Sequence, residues 1–236
     1  MRTLSLLAAL LLAPSLASAE VPLPSYEKRL GIAAWYRVNE HIDRGRRLQS
    51  QQSPQLSPEN QAELKREAEA AFRAAIDEAE AFRTTVTDTS GVAYLEGLAW
   101  RYLEQPTRAE AAWRRSIDLD PAGAVDAWHD LGELMLTRQQ WDEADACFAK
   151  VTEHLTTGQE AWRGPLRQAE VAAWKGDAER MEQHLHEALR RGFNLNFIRH
   201  QPQWRTFYAD PRLHDTVEKM VLVYGDRSLL PVLGAP

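Results

Sequence analysis

One phrase recurs along this chain at intervals longer than a helix, and that recurrence limits the folds open to it. Ala68-Glu69-Ala70-Ala71-Phe72-Arg73, followed by Ile76-Asp77, returns as Ala109-Glu110-Ala111-Ala112-Trp113-Arg114, followed by Ile117-Asp118. Its skeleton, a small residue with an aromatic four positions on, recurs as Ala144 and Phe148, and Met181, Leu185 and Ala188 form a degraded fourth copy. Between the second and third copies the offset is 35 residues, and Gly97 with Gly132 and Trp100 with Met135 keep the same register. A unit of that length that cannot bury its own apolar face must stack on its neighbours.

Within each unit the apolar spacing is helical. Leu131, Leu134 and Met135 fall at i, i+3, i+4, and Ala144, Phe148 and Val151 at i, i+4, i+7. Breakers at Pro106, Pro121, Gly123, Gly164-Pro165, Gly176-Asp177 and Gly192 divide the chain into helix pairs near 90–119, 124–154 and 165–191. Pro106 and Pro165 suit the first turn of a helix, where a missing N–H costs nothing. A longer pair occupies 25–82, with Ser57-Pro58-Glu59 as cap and start of its second helix. After Gly192 short aromatic pieces and a helix near 211–223 form a cap over 193–223 that covers the last apolar face. Residues 224–236 read as a flexible tail. The expected class is all-α, one domain over 24–223.

The first nineteen residues read as an export leader: Arg2, an apolar run Leu4–Leu16, and the small-residue site Ala17-Ser18-Ala19. Cleavage after Ala19 gives a periplasmic or secreted chain without membrane insertion. The run is too short to span a bilayer, which needs roughly 20 residues. A formal charge of −6 argues against nucleic acid, since phosphate binding needs a clustered positive surface. The one basic run, Arg44, Arg46 and Arg47, reads as a solvated helix face. Cys147 is the single cysteine, so stability must come from packing and not from a disulfide.

These residues resemble the tetratricopeptide repeat (TPR) family, stacks of antiparallel helix pairs. Trp128, Leu131, Gly132, Ala144 and Phe148 stand at the family's marked positions, as do Gly97, Trp100, Ala109, Trp113 and Asp120-Pro121 in the preceding copy. Met135, Val151 and Thr156 depart from the usual Tyr, Ala and Pro, and Ala93 and Glu96 replace the first Trp and Leu. The resemblance implies a short right-handed solenoid with a concave groove lined by the first helix of each pair. Groove positions carried over from it are Tyr94, Leu98, Arg101 and Tyr102, then Asp126, His129, Glu133, Leu136 and Thr137, then Arg163, Leu166, Glu170 and Trp174. It also implies a protein partner, an envelope protein given the leader, with a homo-oligomer as the alternative. Lys and Asn of the family's carboxylate-clamp version are missing, since His129 and Glu133 stand there.

Constellations for catalysis are not evident. His186-Glu187-Ala188-Leu189-Arg190 would be a zinc-protease signature if residue 190 were His, and His184 and His186 lie on different helix faces. Cys147 has no partner motif and reads as a structural thiol. Asp142 and Glu143 read as helix N-terminal charge. No enzyme activity, cofactor or metal is expected, a cell-wall-active enzyme being the least favoured alternative.

Overall fold

Helical spacing between residues 25 and 190 becomes eight α-helices packed as four neighbouring pairs in a computed structural model, which describes residues 25–234. The leader 1–19 and its cleavage site lie outside the described residues. The pairs are α1 (Tyr26–Ser50) with α2 (Pro58–Thr85), α3 (Ser90–Tyr102) with α4 (Pro106–Leu119), α5 (Val125–Thr137) with α6 (Trp141–His154), and α7 (Arg163–Lys175) with α8 (Ala178–Arg190). Among the described residues the chain is all-helical. Starts follow local chemistry: the side chains of Ser25, Ser57, Thr89 and Asp177 accept the backbone N–H three residues on, and Pro58 and Pro106 open their helices.

One contact recurs inside three of the pairs. The ring of Phe148 lies against Gly132, where a Cβ would sit 2.6 Å from it, and Trp113 covers Gly97 in the same way. Phe72 covers Gly45, at 2.5 Å from such a Cβ, which makes the N-terminal pair a member of the same series. These three rings are fully buried, so a glycine on the first helix and an aromatic on the second set how closely each pair closes. Tight turns join the later pairs. Glu104, Gln139 and Gly176 each adopt left-handed backbone there, with φ of 58°, 59° and 74°.

Apolar residues at the pair boundaries join the stack into three cores. One combines α1, α2 and α3, a second spans α4, α5 and α6, and the third joins α7 and α8 to the C-terminal cap. Gly164 lets α7 approach α6 closely, since a Cβ there would sit 2.6 Å from the Thr152 backbone nitrogen.

The cap holds a 3-10 turn at Leu195–His200, then α9 (Gln203–Ala209), α10 (His214–Tyr224) and α11 (Leu229–Leu233). Two expectations change here. α10 starts at His214, not near 211, because the Asp210 carbonyl accepts the N–H groups of Leu213 and His214 and closes a turn across Pro211. The segment expected to be a flexible tail instead forms α11, whose Leu229 and Leu233 are buried in the cap core. Polar flanks such as Asp226-Arg227-Ser228 hid that anchor in the sequence.

Candidate functional site

Side chains of α3, α5 and α7 reach across to one another, which brings Tyr94, Arg101, Asp126, His129, Glu133 and Arg163 together. Tyr94 and Arg101 of α3 both meet Asp130 of α5, at 3.3 and 3.4 Å. Arg163 of α7 bridges to Asp126 at 3.1 Å, and Arg167 of α7 pairs with Glu133 at 2.7 Å. His129 lies 3.4 Å from Asp130 and 3.8 Å from Glu133.

Burial and charge set the ionisation of these groups. Burial and the neighbouring Asp130 carboxylate push the Tyr94 phenol well above its usual range. Burial also raises Glu133, against the pull of Arg167 and His129. Arg167 moves upward, because Glu170 and Glu133 outweigh its own burial. These contacts tie α3, α5 and α7 together.

Two expected groove residues do not face a partner. Leu166 is a core residue, buried beneath the cap. Glu170 is 2% exposed and accepts hydrogen bonds from Trp204 Nε1 at 3.2 Å and Gln203 Nε2 at 3.1 Å while pairing with Arg167. The cap, which the repeat register cannot see, covers Glu170, and Leu166 lies in the core shared by α7, α8 and the cap. Leu98 and Leu136 are half-buried against the core clusters.

Arg101, Asp126, Thr137 and Trp174 remain exposed. Trp174, 39% exposed, stacks at 6.0 Å on Trp141 and meets Phe207 edge-on at 4.8 Å. A cleft of about 370 Å³ brings together Arg101, Glu133 and Thr137 with Glu104, Asp130 and Leu134.

Asp130 and Arg167 are the residues of this face that sequence reasoning missed. Both sit one position off the carried-over register, and only the crossing of neighbouring helices shows their reach. Tyr102 turns toward the N-terminal pair, stacked at 4.7 Å on Phe72. Register would also have found α1, had Gly45 been recognised as the counterpart of Gly97 and Gly132. Counting from Gly45, the equivalent positions on α1 include Arg46, Gln49 and Ser50.

No group of three or more His, Cys, Asp or Glu side chains is arranged to hold a metal among the described residues. His186 instead meets Glu182 at 3.4 Å and the Tyr224 ring at 5.2 Å. Burial raises the Cys147 thiol to about 11, which keeps it protonated at neutral pH. No helix among the described residues is long and apolar enough to cross a membrane. No family model matches the chain, and no curated protein matches it in sequence.

Proposed function

We propose that the chain is an exported, non-enzymatic scaffold or assembly factor whose helix pairs form a short TPR-like right-handed solenoid. Its partner is another protein of the cell envelope, held as a peptide or helix on the face of the first helices. One observation carries this reading. The first helices α3, α5 and α7 are cross-bridged by side chains, giving a surface of mixed aromatic and charged character, as protein-binding surfaces have. The apolar run and small-residue site at 1–19 support export.

Crosslinking followed by affinity capture from the periplasm tests this. A specific partner should be retained by the parent chain and lost on replacing Asp126, Thr137 and Trp174 with Ala, with the circular dichroism spectrum unchanged. Retention by that variant would remove the face assigned to binding. Leu222, Val223 and Tyr224, all exposed on α10, favour a second reading, self-association through the C-terminal end of the stack. Sedimentation over a wide concentration range decides it, because a monomer throughout would leave only the first reading.

A further inference from the structure

The recurring glycine contact places α1 as the first member of the series, yet α1 runs well beyond it. With Gly45 matched to Gly97 and Gly132, α1 begins 19 residues before its glycine, whereas α3 and α5 each begin seven before theirs. Ile32 and Tyr36 of the extra length are exposed, and they continue a stripe that runs on toward the glycine. Ile32, Tyr36, Asn39, Asp43 and Arg46 follow one another at spacings of three and four, so they share one face.

Toward the N-terminal end of that face Ile32, Trp35 and Tyr36 are exposed by 44%, 37% and 65%, and with Gly31 and Thr89 they line a cleft of about 330 Å³. Near the other end Arg46, Arg47 and Tyr102 line a second cleft, of about 490 Å³. Arg47 meets no carboxylate among the described residues, and Arg46 has only a loose contact to Asp43 at 3.7 Å. α1 carries six Lys and Arg against three Asp and Glu, in a chain whose formal charge is −6. Glu133 and Glu170, the equivalents of Arg46 on α5 and α7, are already paired with Arg167.

We propose that α1 continues the binding face of α3, α5 and α7 as a further docking strip, and that it takes a partner segment with an aliphatic or aromatic anchor and, about 15 Å away along the helix, acidic side chains. The anchor fills the Ile32–Trp35–Tyr36 cleft, and the carboxylates meet Arg46 and Arg47, whose planar guanidinium groups suit them. The proposal rests on the protein-binding reading above and names the chemistry of the partner. An acidic peptide is favoured over nucleic acid because Arg46 and Arg47 form a small positive site in a chain whose formal charge is −6.

The test is a displayed library of random twelve-residue peptides selected against residues 20–236, and in parallel against the double variant Arg46→Glu/Arg47→Glu and against Tyr36→Ser. The parent chain should enrich sequences with one or two large apolar residues and at least two Asp or Glu. The charge-reversed chain should bind the enriched peptide about tenfold or more weakly and select Lys and Arg instead. Tyr36→Ser should weaken the same peptide with its charge preference kept.

Three results would overturn the proposal: the same sequences enriched by parent and charge-reversed chains, no enrichment at all, or displacement of the peptide by a single-stranded oligonucleotide at equal concentration. Peptides lost with Asp126→Ala and Trp174→Ala but indifferent to both α1 variants would also overturn it, while leaving the broader protein-binding reading in place.

Discussion

α1 and α7 hold the same station in their helix pairs and use it in opposite ways. Glu170 of α7 is buried, bonded to Trp204 and Gln203 and paired with Arg167, while Arg46 of α1, its register equivalent, is 60% exposed with one loose contact. A repeat register therefore locates a side chain on a helix without saying whether the next element covers it. At the C-terminal end the cap covers the position and turns it into a structural tie. At the N-terminal end no described residue lies over it, and the position stays exposed.

The largest effects should come from the contact the pairs share. Phe72→Ala and Phe148→Ala should each cost about 3–5 kcal/mol in urea unfolding, as deletion of a fully buried aromatic does. Equal costs would show the N-terminal pair to be one cooperative member of the stack. A cost below about 1 kcal/mol for Phe72→Ala would separate α1 and α2 from the rest and break the comparison at its root.

Glu170→Gln and Arg46→Gln sharpen the comparison at its two ends. The first removes a charge that Arg167 is paired with and that Trp204 and Gln203 bond, so a loss of about 1.5–3 kcal/mol is expected. A loosened Trp204 should also be visible in near-ultraviolet circular dichroism. The second alters a solvated side chain and should shift stability by less than about 0.5 kcal/mol. Similar losses from both would mean that α1's arginine face is itself packed.

Much of this architecture was legible in the sequence, and the parts that were not have physical reasons. Helix pairs 90–119 and 124–154 could be read because Gly97 and Trp113, like Gly132 and Phe148, stand sixteen residues apart, joined by tight turns. Gly45 and Phe72 make the same contact across twenty-seven residues, since both helices are longer and a linker intervenes, so a search at fixed period passes over them. Leu166 and Glu170 had the right register but were assigned to a face that the cap covers, and coverage by a distant segment leaves no periodic trace. Arg46 and Arg47 were read as a solvated run. Solvated they are, but only the fold shows that Ile32 and Tyr36, on the same helix face, are exposed as well. Glu96, which stands where the resemblance expected leucine, is explained by Arg83 and Arg115, which converge on its buried carboxylate from α2 and α4.

Smaller effects belong to the turns. Glu104 and Gln139 hold left-handed backbone that L-residues adopt at a cost of roughly 1–2 kcal/mol, while Gly176 holds it freely. Glu104→Gly and Gln139→Gly should each stabilise the chain, by up to about 1 kcal/mol once glycine's greater unfolded-state freedom is set against the relief. A loss at either position would show that the side chain, not the backbone, governs that turn.

The smallest effect is a local titration in the cap. Arg212 donates to the Asp210 carboxylate through its guanidinium and its backbone N–H, and these bonds hold Asp210 down to about 2. A depressed carboxylate contributes stability at pH values above its unfolded value of roughly 3.9, and loses it as pH falls toward the folded value. Carbonyl-detected NMR should therefore find Asp210 titrating near 2 in the parent chain and back near the ordinary range in Arg212→Ala. The same guanidinium lies over Gly176, where an added Cβ would collide with it, so the pair also rests on the turn between α7 and α8. Gly176→Ala should push Arg212 off that turn and raise Asp210 even with both charged residues intact. An unmoved Asp210 in that variant would show that the ion pair is a feature of the cap alone and plays no part in holding it to the stack.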